Sequence, residues 1–226
     1  MATFTETTLR TRARRMADME NSTFVSDLEL RDYLNSGYAE LYDLVVEKYE
    51  DYYLKTTDSM DLASSDEHNL PDDFYKVLGV DLDFGGHIAS LRNYNFSERN
   101  MHRSHFYTNN RMHTQTQYHI QGNKIKFVPT DGSGTAVMHY VPVAKQLSET
   151  VTSFESIIPG FEEYICLSAA ISCLMKEESD VQMHMARKEM LKQRIESVAG
   201  KRNAGDSYSI SDVSSDGLHH AGFNNF

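Results

Sequence analysis

The segment that most constrains the fold covers residues 159–202, which carry the pattern of two helices with one break. Its first half places apolar side chains at the spacing of an amphipathic helix, so that they form one stripe. Pro159 suits the first turn of that helix, because a first-turn backbone N–H has no helical partner. The stripe consists of Phe161, Tyr164, Ile165, Leu167, Ser168, Ile171, Leu174 and Met175.

A second helix is predicted to start at Ser179, because Ser179 and Gln182 form a capping-box pattern. Each large apolar side chain contributes ~1.5–3 kcal/mol when it is buried. Two helices cannot cover such a surface by themselves, so other elements must pack on this hairpin. One face of the second helix carries Val181, His184, Lys188, Leu191, Ile195 and Val198.

The clearest single helix prediction covers residues 26–56. Ser26 and Glu29 form a capping box, and Val25 and Leu30 form a hydrophobic staple around it. Leucine, valine and tyrosine residues follow with a period of 3.6, and we expect them to pack in the core. The opposite face is predicted to be solvated and acidic, with Asp32, Glu40, Asp43, Glu47, Glu50 and Asp51.

The middle of the chain has strand signals. A polar connector is predicted for residues 57–69, and residues 75–82 then alternate like a strand. Gly122 and Asn123 separate two further strand patterns, which is a strong hairpin signal. Residues 97–117 are polar and rich in His and Asn, and we expect them to form a long loop.

The order of these elements predicts an α+β fold. We expect a helical bundle of about four helices, N- and C-terminal in the chain, with an inserted small antiparallel β region and an extended C-terminal tail. In residue numbers, 1–69 and 144–202 form the bundle core and 70–143 the inserted β domain. Residues 203–226 form the tail, which is too polar to build a core of its own.

Charge and composition limit the function. The formal net charge is −11, which argues against a protein that grips duplex DNA through a basic footprint. The chain has no apolar run near the ~20 residues that a membrane helix needs, and no signal-peptide pattern, so neither a membrane nor a secreted location is expected. Cys166 and Cys173 are predicted to be buried thiols of a reducing compartment.

No catalytic residue, metal ligand or cofactor site is predicted. Phosphate-binding, zinc-protease and serine-hydrolase motifs are missing from the sequence. Pro71, Asp72 and Asp73 resemble the start of a nuclease motif, but the acidic-x-Lys that should follow is absent. His102, His105, His113 and His119 are expected to belong to a polar loop and the strand after it, because no pattern makes them converge as zinc ligands.

Two segments carry candidate binding residues. A candidate basic patch contains Arg10, Arg12, Arg14 and Arg15, which form either a solvated helix face or a surface for an acidic partner or phosphates. In the tail, Tyr208, Ile210 and, out of register, Val213 are apolar points that a partner could bind as an added strand. Phe223 and Phe226 lie near the end of the sequence.

The order of the motifs resembles the head-to-tail connector (adaptor) proteins of tailed bacteriophages. Residues 9–15 are similar to the opening helix of that family, and residues 24–41 to its second helix. Residues 70–76 and 121–125 resemble the β insertion that some connectors carry, and residues 169–180 with 201–202 resemble the closing helical pair. The His- and Asn-rich segment 97–117 departs from the pattern.

This resemblance implies a structural virion protein and not an enzyme. It implies a homo-oligomeric ring of about twelve copies below the portal, with a stopper, nozzle or tail protein underneath. DNA would pass through the ring during ejection without specific binding, and the tail residues would dock on the portal. The particle would assemble in the host cytoplasm. Two alternatives remain, a stopper or tail-completion protein of the same neck and a nucleic-acid-binding regulator.

Overall fold

The computed structural model describes residues 2–98, 116–128 and 134–201. Over these residues the protein is an α+β structure, which confirms the predicted class. Its four α-helices are α1 (Glu6–Met16), α2 (Asp27–Lys48), α3 (Glu162–Lys176) and α4 (Gln182–Gly200). Two short 3-10 helices, at Glu50–Tyr53 and Phe96–Glu98, lie between α2 and α3 in the described chain.

Helix α3 is the element on which the other helices pack. Ten of its fifteen residues are buried, so it is apolar on nearly every side, and α1, α2 and α4 all contact it. Helix α2 packs tightly against α3 at Gly37, which has no side chain there. A Cβ added at Gly37 would lie 2.9 Å from the Cβ of Ser168. Cys166 and Cys173 face this core as buried free thiols, as predicted, and burial raises the pKa of Cys166 to about 11.

Helix α2 begins as the capping pattern predicts. The Ser26 hydroxyl accepts a hydrogen bond from the Glu29 amide at 3.2 Å. The helix ends at Lys48, however, and does not run on to residue 56. Tyr49 leaves helical geometry, and the next turn carries Tyr53 back to stack on Tyr42 at 4.2 Å between ring centres. The polar face is exposed and acidic as predicted.

The hairpin of α3 and α4 is confirmed, but its capping differs from the prediction. Helix α3 begins three residues after Pro159, without a side-chain cap. The prediction of a capping box at Ser179 is wrong, because the Ser179 hydroxyl donates to the Glu177 carboxylate. The Asp180 carboxylate instead caps the start of α4, since it accepts a hydrogen bond from the backbone amide of Gln182 at 2.9 Å.

Eleven strands are described, in three sheets. In chain order they are β1 (Ala2–Thr5), β2 (Lys55–Thr56), β3 (Met60–Asp61), β4 (Glu67–Asn69), β5 (Phe74–Phe84), β6 (His87–Ser90), β7 (Arg92–Asn93), β8 (Gln117–Gln121), β9 (Lys124–Val128), β10 (Thr135–Pro142) and β11 (Ser153–Ile157). The larger sheet has the order β2-β10-β5-β6, with β3 also paired to β10. A second sheet has the order β4-β9-β8-β7.

The hairpin around Gly122 is confirmed, because β8 and β9 pair with Gln121 opposite Lys124. Gly122 has a φ of +62°, which suits a glycine in a two-residue turn. Two other expectations are wrong. The β region is not purely antiparallel, since β7 and β8 pair in parallel. The segment 57–69 is not only a connector, because it contains β3 and β4.

The third sheet is a two-stranded one that the sequence did not predict. Strand β1 at the start of the chain pairs with β11, which directly precedes the α3 segment. Phe154 of β11 is buried and stacks on Tyr38 of α2 at 4.0 Å between ring centres. This sheet therefore fixes both chain segments to the helices.

Buried apolar residues form two separate clusters. The helical cluster lies between α1, α2, α3, α4, β11 and the C-terminal end of β10. The sheet cluster lies between the two larger sheets and contains Ile125, Phe127 and Met138. The described strands of these sheets run from Lys55 to Pro142, so they start before residue 70. The domain boundaries at residues 70 and 143 stay a prediction.

Candidate interaction surfaces

The arginines of α1 point largely into contacts with the rest of the chain. Arg14 lies 3.1 Å from the Asp27 carboxylate and donates to the carbonyls of Ser22 and Val25 at 2.9 and 2.8 Å. Arg10 reaches the same carboxylate at 3.1 Å. These two side chains hold the loop between α1 and α2 and neutralise an acid at the start of α2.

The other two arginines of the candidate basic patch also have acidic partners. Arg12 lies 3.2 Å from Glu162 in the first turn of α3. Arg15 lies 3.2 Å from Glu20, and 64% of its side chain is exposed. Arg15 is therefore the one of the four that presents most of its charge to solvent. A binding role of the patch stays a prediction.

The acidic face of α2 is bordered by ion pairs to the closing hairpin. Lys188 of α4 pairs with Glu40, and Lys176 at the end of α3 lies 2.6 Å from Glu29. The hydrogen bond from Lys176 is the main cause that lowers the pKa of Glu29 below its ordinary value. Farther round the helix, Asp32 and Asp43 point to solvent. The surface here remains negative after the nearby lysines are paired.

A cleft of about 710 Å³ lies where the helices meet the larger sheet. Tyrosines of α2 and of the following 3-10 helix form one wall, and the chain after β10 forms another. The Tyr42 hydroxyl donates to the carbonyl of Pro142, and burial is the main cause that raises the pKa of Tyr42. The predicted packing role of the tyrosines in this segment is confirmed for Tyr38, which is buried in the helical cluster, and for Tyr33 and Tyr52, which pack against it.

Asp73 of the nuclease-like segment is held by contacts within its own chain. Its carboxylate lies 2.6 Å from Lys55 and accepts a hydrogen bond from the Tyr140 hydroxyl at 2.8 Å. The Lys55 contact is the main cause that lowers the pKa of Asp73. The carboxylate thus links β2 and β10 to the residue that precedes β5, at the edge of the cleft.

A Ser-Asp-His contact on the larger sheet has the wrong order for nucleophilic catalysis. Ser90 donates to Asp81 at 2.7 Å, and His139 lies 3.1 Å from the same carboxylate. A serine nucleophile needs the histidine next to its hydroxyl, whereas here the carboxylate separates them. Within the described ranges, no group of His, Cys, Asp and Glu could hold a metal ion.

Several residues singled out from the sequence lie outside the described residues. His102, His105 and His113 belong to this set, as do all five tail residues, Tyr208, Ile210, Val213, Phe223 and Phe226. His119 is described. It sits on β8, 3.3 Å from the side-chain oxygen of Asn93.

The resemblance to phage connectors can be tested by comparing the chain with models of known protein families. A model described as SU10 adaptor protein matches residues 4–215. The chain belongs to the SU10 adaptor protein family. A search of the curated proteins finds no match.

Membership in the SU10 adaptor family confirms the predicted resemblance and makes the protein a phage structural adaptor. The match extends through both larger sheets and all four helices. It also includes Tyr208, Ile210 and Val213, whereas Phe223 and Phe226 lie beyond it. Among the described residues, the helices lack the length and apolar character needed to cross a bilayer.

One surface of this adaptor was missed by the sequence analysis. Helix α4 exposes Met183 and Met190 on the side away from the helical cluster, with 84% and 71% of their surface accessible. The predicted face of this helix includes Leu191 and Ile195 but neither methionine. Two methionines seven residues apart are a signal of a second apolar stripe, and it could have been found from the sequence.

Proposed function

We propose that this adaptor forms a ring of about twelve copies between the portal above and a stopper, nozzle or tail protein below. Packaged DNA passes through the ring during ejection. The match of the SU10 adaptor family to residues 4–215 is the observation that carries this proposal. The ring assembles in the host cytoplasm and becomes part of the virion neck, and it needs no cofactor.

The charge of the chain supports passage of DNA without retention. Each copy has a formal net charge of −11, so a ring of such copies repels phosphates at its surface. Binding of duplex DNA requires unpaired basic side chains that displace counterions. Arg10, Arg12 and Arg14 are instead occupied by carboxylates of their own chain. This occupancy also favours the adaptor over a nucleic-acid-binding regulator.

We propose that residues 203–226 dock on the portal. The segment contains three Asp and no Lys or Arg, and Tyr208 alternates with Ile210 as an added strand requires. An added strand gains affinity from main-chain hydrogen bonds and specificity from alternate side chains. The two large apolar side chains at 208 and 210 would fill pockets on one face of the portal strand.

Deletion of residues 203–226 tests the docking role. The truncated protein should keep the far-ultraviolet circular dichroism and melting temperature of the full chain and lose capture by immobilised portal. A double substitution, Tyr208→Ser with Ile210→Ser, should weaken capture by about tenfold or more, because it removes two buried anchors. Ser207→Ala with Ser209→Ala is the matched control and should leave capture unchanged. Full capture of the truncated protein would refute the tail assignment.

The stopper or tail-completion role is the alternative within the same neck. The family description favours the adaptor. Binding partners decide between them, because an adaptor contacts the portal directly and a stopper contacts the adaptor. Capture of the wild-type chain by portal in the absence of other neck proteins is expected for the adaptor and not for the stopper.

A further inference from the structure

The cleft between the helices and the larger sheet has an apolar lip that the described chain leaves exposed. Leu54, which follows the first 3-10 helix, is 46% exposed, and Val143, which follows β10, is 51% exposed. Both line the cleft together with Tyr52 and Tyr53, whose rings meet edge to face at 4.7 Å between centres. An aromatic and aliphatic cleft of about 710 Å³ is large enough to hold two large apolar side chains.

Two charged side chains without a partner also line the cleft. Lys145 and Asp72 have no hydrogen bond or ion pair in the described residues. The other charges of the cleft, Lys55 and Asp73, pair with each other at 2.6 Å. An occupant with apolar side chains therefore fits best if it brings a carboxylate for Lys145 and a hydrogen-bond donor for Asp72.

Helix α4 ends at the same end of the helical part as the tyrosine wall of this cleft. Lys188 of α4 pairs with Glu40 of α2. About two turns later, Glu196 interacts electrostatically with Lys48, the last residue of α2. The two helices thus run in the same direction, and the 3-10 helix that lines the cleft follows directly after the end of α2. The chain beyond Lys201 therefore starts near that wall.

The segment beyond Lys201 is long enough to reach the cleft. Seven residues lead from Lys201 to Tyr208, and they span up to about 23 Å when extended. This reach is more than twice the ~8–10 Å that separates the axes of packed helices. Tyr208 and Ile210 alternate in sequence, so both project from one side of an extended chain and can enter the cleft together.

The same segment also brings the polar groups that the cleft needs. Asp206 and Asp212 flank the two apolar residues, and either can pair with Lys145. The Tyr208 hydroxyl is a donor for the Asp72 carboxylate. Residues 203–226 contain no Lys or Arg, so no cation of this segment competes for Asp72.

We propose that Tyr208 and Ile210 bind in the cleft of their own chain until a portal binds them. We call this contact the latch. The tether favours the same chain over a second copy, because a short link gives an effective concentration of about a millimolar. The portal and the cleft use the same two side chains and therefore exclude each other. The release of the latch rests on the proposed portal docking, whereas its presence in the free chain does not.

The latch lowers the affinity of the free adaptor for a portal. A segment that is bound in the cleft for about nine-tenths of the time binds a second partner about tenfold more weakly. While the latch is closed, two apolar side chains are also covered, and they cannot add as a strand to other chains. The tail thus engages only a partner that binds it more tightly than the cleft does.

Cross-linking of paired cysteines tests the latch in the full chain without a portal. The native cysteines are buried, so Val143→Cys with Ile210→Cys should react with a short bis-maleimide and form a link within one chain. Met190→Cys with Ile210→Cys is the matched control, because Met190 is 71% exposed and lies outside the cleft, about 16 Å along α4 from Lys201. The cleft pair should link about tenfold faster than the control pair, at a rate independent of protein concentration.

Two results of this experiment would overturn the latch. Equal rates for the cleft pair and the control pair would show that the cleft does not hold the segment. Links that join two chains, and that increase with protein concentration, would show that a second copy is the occupant.

Substitutions at the lip test the exclusion from the side of the cleft, because changes at Tyr208 or Ile210 also remove portal contacts. Val143→Asp and Leu54→Asp each place a carboxylate next to the aspartates of the bound segment. Each should open the latch and strengthen capture by immobilised portal, up to about tenfold. Leu28→Asp is the matched control, since Leu28 is 65% exposed at the start of α2 and outside the cleft, and its capture should equal that of the wild type. Unchanged capture of both lip variants, with native circular dichroism, would refute the exclusion.

These outcomes separate the latch from the proposed function. A fast link of the cleft pair in a chain that no portal captures would keep the latch and remove the portal role of the tail. Capture of the wild type by portal, with no excess of the cleft link over the control, would remove the latch and leave the adaptor assignment intact.

Discussion

The helical part and the β region of this adaptor are stabilised in different ways. Helix α3 is enclosed on nearly all sides by the other three helices. Ion pairs at its two ends, Arg12–Glu162 and Lys176–Glu29, join it to distant parts of the chain. In the β region, three strands have two residues each, and every residue of β6 is exposed. One region is a closed core, and the other offers open strand edges. The difference suggests that the helices set the stability of the protomer.

The largest expected effect comes from truncating one buried isoleucine in each region. Ile165 and Ile125 are both fully buried, the first in the helical cluster and the second in the sheet cluster. Each change to alanine removes the same atoms at a cost of about 2–5 kcal/mol. Ile165→Ala should lower hydrogen-exchange protection in all four helices, because α3 contacts the others. Ile125→Ala should lower protection in β4, β8 and β9 and leave the helices protected. Equal loss of protection in both regions by Ile125→Ala would break the comparison.

A second comparison uses one glycine from each region. Alanine at Gly37 would press on the backbone and side chains of α3, and such overpacking costs about 1–3 kcal/mol, which exceeds the ~1 kcal/mol gained from helix propensity. A Cβ added at Gly79 in β5 meets nothing within 4 Å. Gly37→Ala should therefore lower the urea midpoint of unfolding, and Gly79→Ala should leave it unchanged or raise it slightly. Similar midpoints for both variants would contradict the close α2–α3 packing.

The third comparison concerns carboxylates. Glu6 is buried, and its carboxylate lies 3.0 Å from Arg31 and 3.7 Å from Arg10. Glu6→Gln removes the charge that pairs with Arg31 and should cost about 1–2 kcal/mol in unfolding free energy. Glu67→Gln in β4 removes a partner of Lys124 and Lys126 whose side chain is 33% exposed, so a much smaller change is expected. Chemical denaturation of the two variants measures both changes in unfolding free energy. A larger loss for Glu67→Gln would reverse the assignment of stability to the helices.

The smallest expected effect is the acid sensitivity of the α2–α3 contact. The hydrogen bond from Lys176 lowers the pKa of Glu29 below its ordinary value of 4.5 in the folded protein. A carboxyl with a lowered folded pKa stabilises the fold above its unfolded pKa, and this contribution is lost as the pH falls through the folded pKa. Unfolding free energy should thus decline below about pH 4.5, and Lys176→Met should decline less over this range. Parallel pH profiles of wild type and variant would show that the ion pair adds nothing.

The helical part was predictable because a buried stripe repeats every 3.6 residues. The periods around Leu34 and Ile165 are long enough to identify α2 and α3, and Ser26 marks a start that the structure confirms. The end of α2 was not predictable from periodicity, since the apolar pattern continues through Tyr49 and Tyr52. Tyr49 leaves helical geometry instead, and Tyr53 in the following 3-10 helix stacks on Tyr42.

The β region was predictable only where local turn chemistry decides the pairing. Gly122 and Asn123 gave the β8–β9 hairpin, because two-residue turns fix register. The pairing of β7 with β8 and of β1 with β11 joins segments far apart in sequence, and no local pattern specifies such partners. The ion pair of Arg12 was missed for the same reason, since Glu162 lies 150 residues away in sequence.

The most direct test of the adaptor assignment is negative-stain electron microscopy of the full chain mixed with the portal of its phage. We expect closed rings of this protein seated coaxially on one end of the portal, with an open channel through both. Portal particles that remain bare in the presence of excess protein, with the added chain dispersed as single copies, would contradict it.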